Sequence, residues 1–274
     1  MNNFIKRTIT GIAMIMVIIP SIYFSVYSFI VLILTINTLS LLEFYRLFNT
    51  KEVISRKFPG FLLSTGLIIT TLLVSVNHNH WKILLINIPL IFGVYLTELY
   101  HFAKNPFYNL AFTFLGIFYI TFPFCFLVAF AFLTDPLGSY QYQIILGYFL
   151  MLWTSDTFAY LVGKSLGNYP LFKRISPLKT WEGSAGGLVA TLSITYFISL
   201  YFTIISPLDW FFIALIVVVT GTYGDFFKSL LKRNLHIKDT GNILPGHGGM
   251  LDRFDSLLGS APFVFSYLLC FKYE

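Results

Sequence analysis

The chain has 274 residues, of which 57% are apolar and only 11% are charged, with a net charge of +6. A soluble globular domain carries about 25% charged residues, so this composition and a mean hydropathy of +0.77 exclude an ordinary water-soluble protein. The positive charge does not indicate nucleic-acid binding, because basic residues beside an anionic lipid leaflet bind headgroups and phosphates. We therefore expect a polytopic membrane protein that binds no nucleic acid.

Nine apolar stretches follow one another along the chain, each close to the roughly 20 residues that a helix needs to cross a bilayer. They lie at about 9–25, 28–48, 60–77, 81–100, 107–133, 142–163, 183–205, 208–227 and 256–271. The first two are nearly continuous across Pro20 and Ser25, so eight spans are the alternative to nine. We predict an all-α membrane protein with five spans in residues 1–135 and four in a catalytic half, residues 136–274.

The distribution of basic residues predicts the orientation. If nine spans alternate, all but two of the 18 basic residues fall on the amino-terminal side, the exceptions being Lys82 and Lys272. The positive-inside rule makes that side cytoplasmic. The two longest polar stretches, residues 164–182 and 228–255, also fall there. The sequence therefore predicts a polar catalytic pocket that faces the cytoplasm.

Glu43, Glu98, Asp156 and Asp225 are four of the carboxylates that lie within the apolar stretches. Asp156 and Asp225 are the costly ones, because a charge at the centre of a span costs about 2.5 kcal/mol or more unless it meets protein, water or a cation. They are interpreted as site residues. The alternatives are interfacial positions that are hydrated or paired with a lysine, and the ion-coupling groups of a transporter. Glu43 and Glu98 lie near the cytoplasmic ends of their spans and are interpreted as hydrated interfacial residues.

Residues 229–255 combine three features of a phosphate site. Cationic donors that can grip phosphate oxygens are Lys232, Arg233, Lys238 and Arg253. Glycines whose backbone can approach a phosphate closely are Gly246, Gly248 and Gly249, around His247. Asp252 and Asp255 are three residues apart, so a helix starting near Leu251 would put them on one face. Mg²⁺ binds one or two carboxylates and substrate phosphate oxygens, so the segment indicates metal-assisted transfer of a phosphoryl or nucleotidyl group.

The spacing of these residues resembles a known signature. The matching blocks are Ser229-x-x-Lys232-Arg233-x-x-x-x-Lys238-Asp239, Pro245-Gly-His-Gly-Gly and Asp252-Arg253-x-Asp255. They are similar to the signature of the phosphatidate cytidylyltransferases, also called CDP-diacylglycerol synthases. Upstream blocks that also resemble this family are Asp156-Thr157, Gly163-Lys164, Ser176-Pro-Leu-Lys179-Thr-Trp-Glu-Gly183 and Gly224-Asp225. Two positions depart from its pattern: Phe158 replaces a glycine, and Lys228 stands where an acidic residue is frequent.

The resemblance implies a reaction in which the phosphate of phosphatidic acid attacks the α-phosphorus of CTP. The products are CDP-diacylglycerol and pyrophosphate. The family further implies Mg²⁺, as one ion or two, with a monovalent cation as an open alternative, and a homodimer in the bacterial inner membrane. The metal ligands implied are Asp225 and Asp252, then Asp255 and Asp156.

Further roles follow from the same resemblance. The catalytic residues implied are Asp225, Asp252, Lys232, Arg233, Asp239 and His247. For His247, a loop position, a phosphate donor and an acid for the leaving group are the open alternatives. The residues implied for substrate binding are Ser176, Lys179, Ser229, Lys238, Gly246, Gly248, Gly249 and Arg253. The nearest alternative is a CTP-dependent kinase of a polyprenol or another lipid alcohol, since those proteins are similar in part of this signature. An ion-coupled transporter is the alternative from another class, and it leaves residues 229–255 unexplained.

Overall fold

The structure is a computed structural model that describes residues 3–50, 53–101, 103–133, 138–241, 243 and 248–272. Ten α-helices lie in these ranges: α1 Asn3–Phe24, α2 Val26–Phe48, α3 Lys57–Val76, α4 Asn87–Leu99, α5 Pro106–Gly116, α6 Phe122–Phe130, α7 Tyr142–Leu166, α8 Trp181–Tyr201, α9 Pro207–Asn234 and α10 Asp255–Lys272. A 3₁₀ segment, His78–Ile86, precedes α4, and a π-helical segment, Ile117–Thr121, joins α5 to α6.

By length and composition, seven helical segments in the described part of the chain can cross a membrane. They are Val26–Phe48, Lys57–Val76, His80–Leu99, Pro106–Phe130, Tyr142–Leu166, Trp181–Tyr201 and Pro207–Asn234. Two shorter apolar helices, Thr8–Phe24 and Asp255–Phe271, correspond to the first and last predicted spans. The predicted all-α membrane fold is therefore confirmed, whereas the count of nine crossings stays a prediction.

Contacts divide the chain into two compact units. Unit 1 comprises Met1–Tyr140 and Asp239–Arg253, and unit 2 comprises Gln141–Lys238 and Phe254–Glu274. Residues 239–253, which the sequence assigns to the catalytic half, thus pack with the amino-terminal helices of unit 1.

Unit 1 contains α1 to α6. Ser25 separates α1 from α2, and its hydroxyl caps α2 by accepting the N–H of Tyr27 at 3.2 Å. Glu98 on α4 is buried, where it forms an ion pair with Arg56 and accepts the side-chain N–H of Asn109 at 2.7 Å. The interpretation of Glu98 as a hydrated interfacial residue is wrong, because these two partners compensate its charge inside the protein.

Unit 2 contains α7 to α10. Gly183 and Gly187 of α8 lie against α7: a Cβ at Gly183 would lie 2.6 Å from the carbonyl oxygen of Ala159. The hydroxyl of Ser206 accepts the N–H of Asp209, whose carboxylate in turn caps the N–H of Ser206. This capping box fixes the start of α9.

The polar stretch between α7 and α8 contains a β-hairpin that the sequence did not predict. Strand β1, Pro170–Phe172, pairs antiparallel with β2, Ser176–Thr180. The side chain of Thr180 then caps α8 by accepting the N–H of Gly183 at 3.1 Å. The hairpin therefore ends directly in a membrane helix, which fixes the position of Lys179 on β2.

Candidate active site

The site residues of unit 2 form a cluster of carboxylates and ammonium groups: Asp156, Lys179, Asp225, Lys228 and Asp255. The Nζ of Lys228 lies 3.1 Å from Oδ1 of Asp225 and also forms an ion pair with Oδ2 of Asp255. The Nζ of Lys179 pairs with the other oxygen of Asp225. The side chains of Lys228 and Asp255 are only 7% and 9% exposed. Two ammonium groups thus neutralise carboxylates that would otherwise repel each other in a buried position.

A close approach of two helices brings these residues together. A Cβ at Gly224 of α9 would lie 2.5 Å from the carbonyl oxygen of Asp255 and 2.8 Å from the Cα of Gly259 on α10. Only glycine leaves room for this contact, and the next residue on α9 is Asp225. Ser256 extends the cluster to α7, because its hydroxyl donates to Oδ1 of Asp156 at 3.1 Å. Its N–H donates to Oδ1 of Asp255 at 2.9 Å.

The Lys179 ammonium, at the edge of this cluster, is affected by burial, by nearby carboxylates and by an aromatic ring. Burial lowers the pKa of the Lys179 ammonium below the ordinary lysine value, and the negative charges of Asp255 and Asp156 only partly oppose that shift. The Nζ also lies 5.0 Å from the centre of the Phe226 ring. Lys179 therefore stands between a polar cluster and an aromatic surface.

A magnesium ion fits this cluster only if the substrate supplies part of its coordination shell. Within the described residues, no group of three or more Asp, Glu, His or Cys side chains lies close enough to hold a metal ion. Mg²⁺ commonly takes one or two carboxylates and completes its shell with substrate phosphates and water. Lys228 already marks a position where a cation contacts both Asp225 and Asp255. The donor set thus fits an ion that the substrate helps to hold.

The phosphate-binding residues predicted in unit 2 lie on two elements. Ser176 and Lys179 are on β2, whereas Ser229, Lys232 and Arg233 are on the last turns of α9. Helix α9 continues to Asn234, beyond the predicted span end at 227. Arg233 connects the two elements, because its Nε donates to the carbonyl oxygen of Ile175 at 3.4 Å. Lys238 is exposed at the end of this part of unit 2.

The predicted site residues of unit 1 lie in a loop that we call the signature loop, Asp239–Gly241 with Gly248–Arg253. Oδ2 of Asp252 accepts the N–H and the hydroxyl of Thr240, at 2.9 and 3.0 Å, and the N–H of Gly249 at 3.3 Å. Gly248 has a φ of +84°, which glycine adopts without strain. Asp239 and Arg253 are exposed at either end. Gly246 and His247 lie outside the described residues.

The prediction that a helix starts near Leu251 and puts Asp252 and Asp255 on one face is wrong. Helix α10 begins at Asp255, and Asp252 lies in the turn before it. The physical reason is that Asp252 accepts backbone N–H groups of Thr240 and Gly249, which fixes the preceding chain in a turn.

Sequence reasoning missed two charged residues of these clusters. Lys228 was noted only as a departure from a family pattern, yet it bridges Asp225 and Asp255. Glu43 was interpreted as hydrated at the interface, but it is buried and accepts the N–H groups of Met250 and Leu251. The signal for Glu43 was a charge within an apolar stretch, which is costly unless it has a partner. Lys228 stands at the start of a polar stretch, so its only signal was the departure from the family pattern.

Comparison with known proteins identifies the family. A model described as the cytidylyltransferase family matches residues 5–271. The chain belongs to the cytidylyltransferase family. The match covers both units and confirms the family resemblance of the signature segment.

Individual relatives agree with this assignment. A Staphylococcus aureus (strain COL) protein named phosphatidate cytidylyltransferase is 34% identical over 263 residues, which cover 94% of this chain and 96% of that relative. An Aquifex aeolicus protein of the same name is 38% identical over 186 residues, which cover 66% of each chain. A Bacillus subtilis (strain 168) protein of that name is 45% identical over 126 residues. In that last match this chain spans about half of the relative's length, 46%.

Proposed function

We propose that this chain is a phosphatidate cytidylyltransferase, which converts CTP and phosphatidic acid into CDP-diacylglycerol and pyrophosphate. The observation that carries the proposal is the match of the cytidylyltransferase family model to residues 5–271. The buried contact of the Lys228 ammonium with Asp225 and Asp255 supports it, because it shows carboxylates that accept a cation. The S. aureus relative, which matches nearly end to end, supports the choice of lipid phosphate as the acceptor.

The proposed reaction demands little acid–base chemistry. An oxygen of the lipid phosphate forms a bond to the α-phosphorus of CTP, and the bond from that phosphorus to the bridging oxygen of the β-phosphate breaks. Pyrophosphate leaves with the electron pair. A phosphomonoester carries about −1.5 to −2 charges at neutral pH, so it is already a nucleophile. The enzyme's task is to bring two polyanions together and to align them.

The described residues supply the groups for that task. Lys179 and the α9 residues Lys232 and Arg233 hold phosphate oxygens, with Ser176 and Ser229 as hydroxyl donors. In the signature loop, the backbone at Gly248 and the Arg253 guanidinium bind triphosphate oxygens, and Gly249 and Lys238 stay predicted substrate-binding residues. Asp239 and His247 belong to the same segment of the sequence and stay predicted catalytic residues.

Magnesium is part of this proposal. Asp225 and Asp255 would hold the ion together with substrate phosphate oxygens, and Asp156 and Asp252 stay predicted ligands. When bound, the ion neutralises charge on the phosphate oxygens and helps to orient the reacting groups. Lys228 would hold Asp225 and Asp255 in place before the substrates enter. We also propose nine crossings, a site that faces the cytoplasm of a bacterial inner membrane, and a homodimer as the family implies.

An apolar groove in unit 2 supports a lipid substrate. It has a volume of about 430 Å³ and lies between α8, α9 and β1, where Trp181, Ala185, Val219 and Phe226 are among its lining residues. Phe226 also carries the Lys179 ammonium over its ring. An apolar groove beside a cation suits an amphiphile with an anionic head, and we propose that it takes an acyl chain of phosphatidic acid.

Labelled CTP tests the proposed reaction against the kinase alternative. The purified chain is incubated in detergent with phosphatidic acid, a polyprenol and Mg²⁺, and the CTP carries its label at the α- or at the γ-phosphate. A cytidylyltransferase puts the α-label into lipid and releases the γ-label as pyrophosphate. Lipid labelled only from the γ-position, with CDP as the other product, would replace the proposed function with a lipid kinase.

A further inference from the structure

Glu43, on the second helix of unit 1, accepts two hydrogen bonds from the signature loop. Its Oε1 accepts the N–H of Met250 at 2.8 Å, and its Oε2 accepts the N–H of Leu251 at 2.9 Å. The residue is 2% exposed. A buried carboxylate is stable only with such compensation, and hydrogen bonds to a charged acceptor are the strong ones.

The same carboxylate also contacts the other arm of the signature loop. The hydroxyl of Thr240 lies 3.4 Å from Oε2 of Glu43, and a Cβ at Gly241 would lie 2.6 Å from Oε1. On the second arm, a Cβ at Gly249 would lie 2.5 Å from Oε2. Glu43 thus touches the chain both before and after residues 242–247.

Glu43 and Asp252 share these contacts. Thr240 and Gly249 donate to Oδ2 of Asp252 and at the same time lie against Glu43. A shift of the Glu43 carboxylate would therefore move both residues that hold Asp252. Glu43 contacts backbone groups of the signature loop, so a change of Glu43 would affect substrate binding through the position of that loop.

We propose that Glu43 is a positioning residue that fixes the signature loop in the conformation that binds the triphosphate of CTP. The proposal rests on the proposed function and adds an amino-terminal helix, α2, to the parts of the chain that set affinity for the nucleotide. In the proposed function, phosphatidic acid binds in the apolar groove of unit 2, so we expect its affinity to be independent of Glu43.

The test compares Glu43→Gln with Glu98→Gln. Both changes remove one charge from a buried carboxylate of unit 1, but Glu98 has its partners on Arg56 and Asn109. Glutamine keeps the length of Glu43 while its amide nitrogen can no longer accept an N–H. A hydrogen bond to a charged group is strong enough that we expect hydrogen exchange at Met250 and Leu251 to accelerate about tenfold or more in Glu43→Gln. We expect no acceleration there in Glu98→Gln.

Kinetics separate positioning from a loss of folded protein. In Glu43→Gln we expect the KM for CTP to rise about tenfold or more while the KM for phosphatidic acid changes less than about twofold. A merely structural role would lower the active fraction, and therefore kcat, with both KM values unchanged; that result, or unchanged exchange at Met250 and Leu251, would overturn the proposal.

Two further outcomes are also decisive. If Glu43→Gln does not fold, Glu43→Asp replaces it, because that change keeps the charge and draws the carboxylate back from the N–H groups of Met250 and Leu251. The same rise in the KM for CTP supports the proposal and its absence overturns it. A wild-type chain that does not turn over CTP with phosphatidic acid would refute the proposed function alone. The exchange rates need no turnover and would still decide whether Glu43 holds the loop.

Discussion

Replacing Lys228 by methionine removes the ammonium that bridges two carboxylates of unit 2 and keeps a side chain of similar length. Its Nζ lies 3.1 Å from Oδ1 of Asp225 and contacts Asp255, and Lys228 and Asp255 are both nearly inaccessible. At an effective dielectric constant of about 20, unit charges at that distance attract by roughly 5 kcal/mol. Breaking a buried pair by removing one partner typically costs about 3–5 kcal/mol. We expect Lys228→Met to lower the free energy of unfolding by about 3–5 kcal/mol.

Reversible unfolding in mixed detergent micelles measures this change. Lys173→Met is the matched control, because Lys173 is exposed beside the hairpin of the same unit and surface changes usually stay within about 0.5 kcal/mol. A double-mutant cycle with Asp255→Asn then isolates the contact, since the second change should cost less once Lys228 is gone. If Lys228→Met were as stable as Lys173→Met, the ammonium would not compensate the two carboxylates and our account of the cluster would be refuted.

Three further changes test the site and the groove. Asp225→Asn should lower the rate of CDP-diacylglycerol formation about a hundredfold or more at saturating Mg²⁺, because it removes a carboxylate that would hold the ion beside the reacting phosphates; an unchanged rate would exclude Asp225 as a metal ligand. Ala185→Trp should fill the groove and raise the KM for phosphatidic acid without changing the KM for CTP, whereas Val189→Trp, on α8 but outside the groove lining, should change neither. Gly224→Val should lower the thermal midpoint and the activity together, because its side chain would collide with the backbone of Asp255 and Gly259; a wild-type midpoint would contradict the close packing of α9 and α10.

The sequence predicted the features that depend on local pattern. Apolar stretches of span length correspond to helices, and the spacing of Lys232, Arg233, Asp252 and their neighbours correctly indicated the family. The β-hairpin escaped prediction because strands of three and five residues leave too little alternation to recognise in a polar stretch.

What the sequence could not predict depends on partners far apart in the chain. Glu43 looked like an ordinary interfacial carboxylate because the N–H groups that it accepts lie more than 200 positions later, at Met250 and Leu251. Lys228 looked like an anomaly because its second partner, Asp255, is 27 residues away on another helix. Asp252 was expected on a helix, since spacing alone cannot show that its carboxylate is already used by backbone N–H groups.

The central claim is that the lipid phosphate itself attacks the α-phosphorus of CTP, and the fate of oxygen atoms tests it directly. Phosphatidic acid is prepared with heavy oxygen in the free positions of its phosphate and is given to the purified chain with ordinary CTP and Mg²⁺. Our account predicts CDP-diacylglycerol that keeps all of the label, together with an equal amount of unlabelled pyrophosphate. Label in the released phosphate product, or nucleotide turnover without labelled CDP-diacylglycerol, would contradict it.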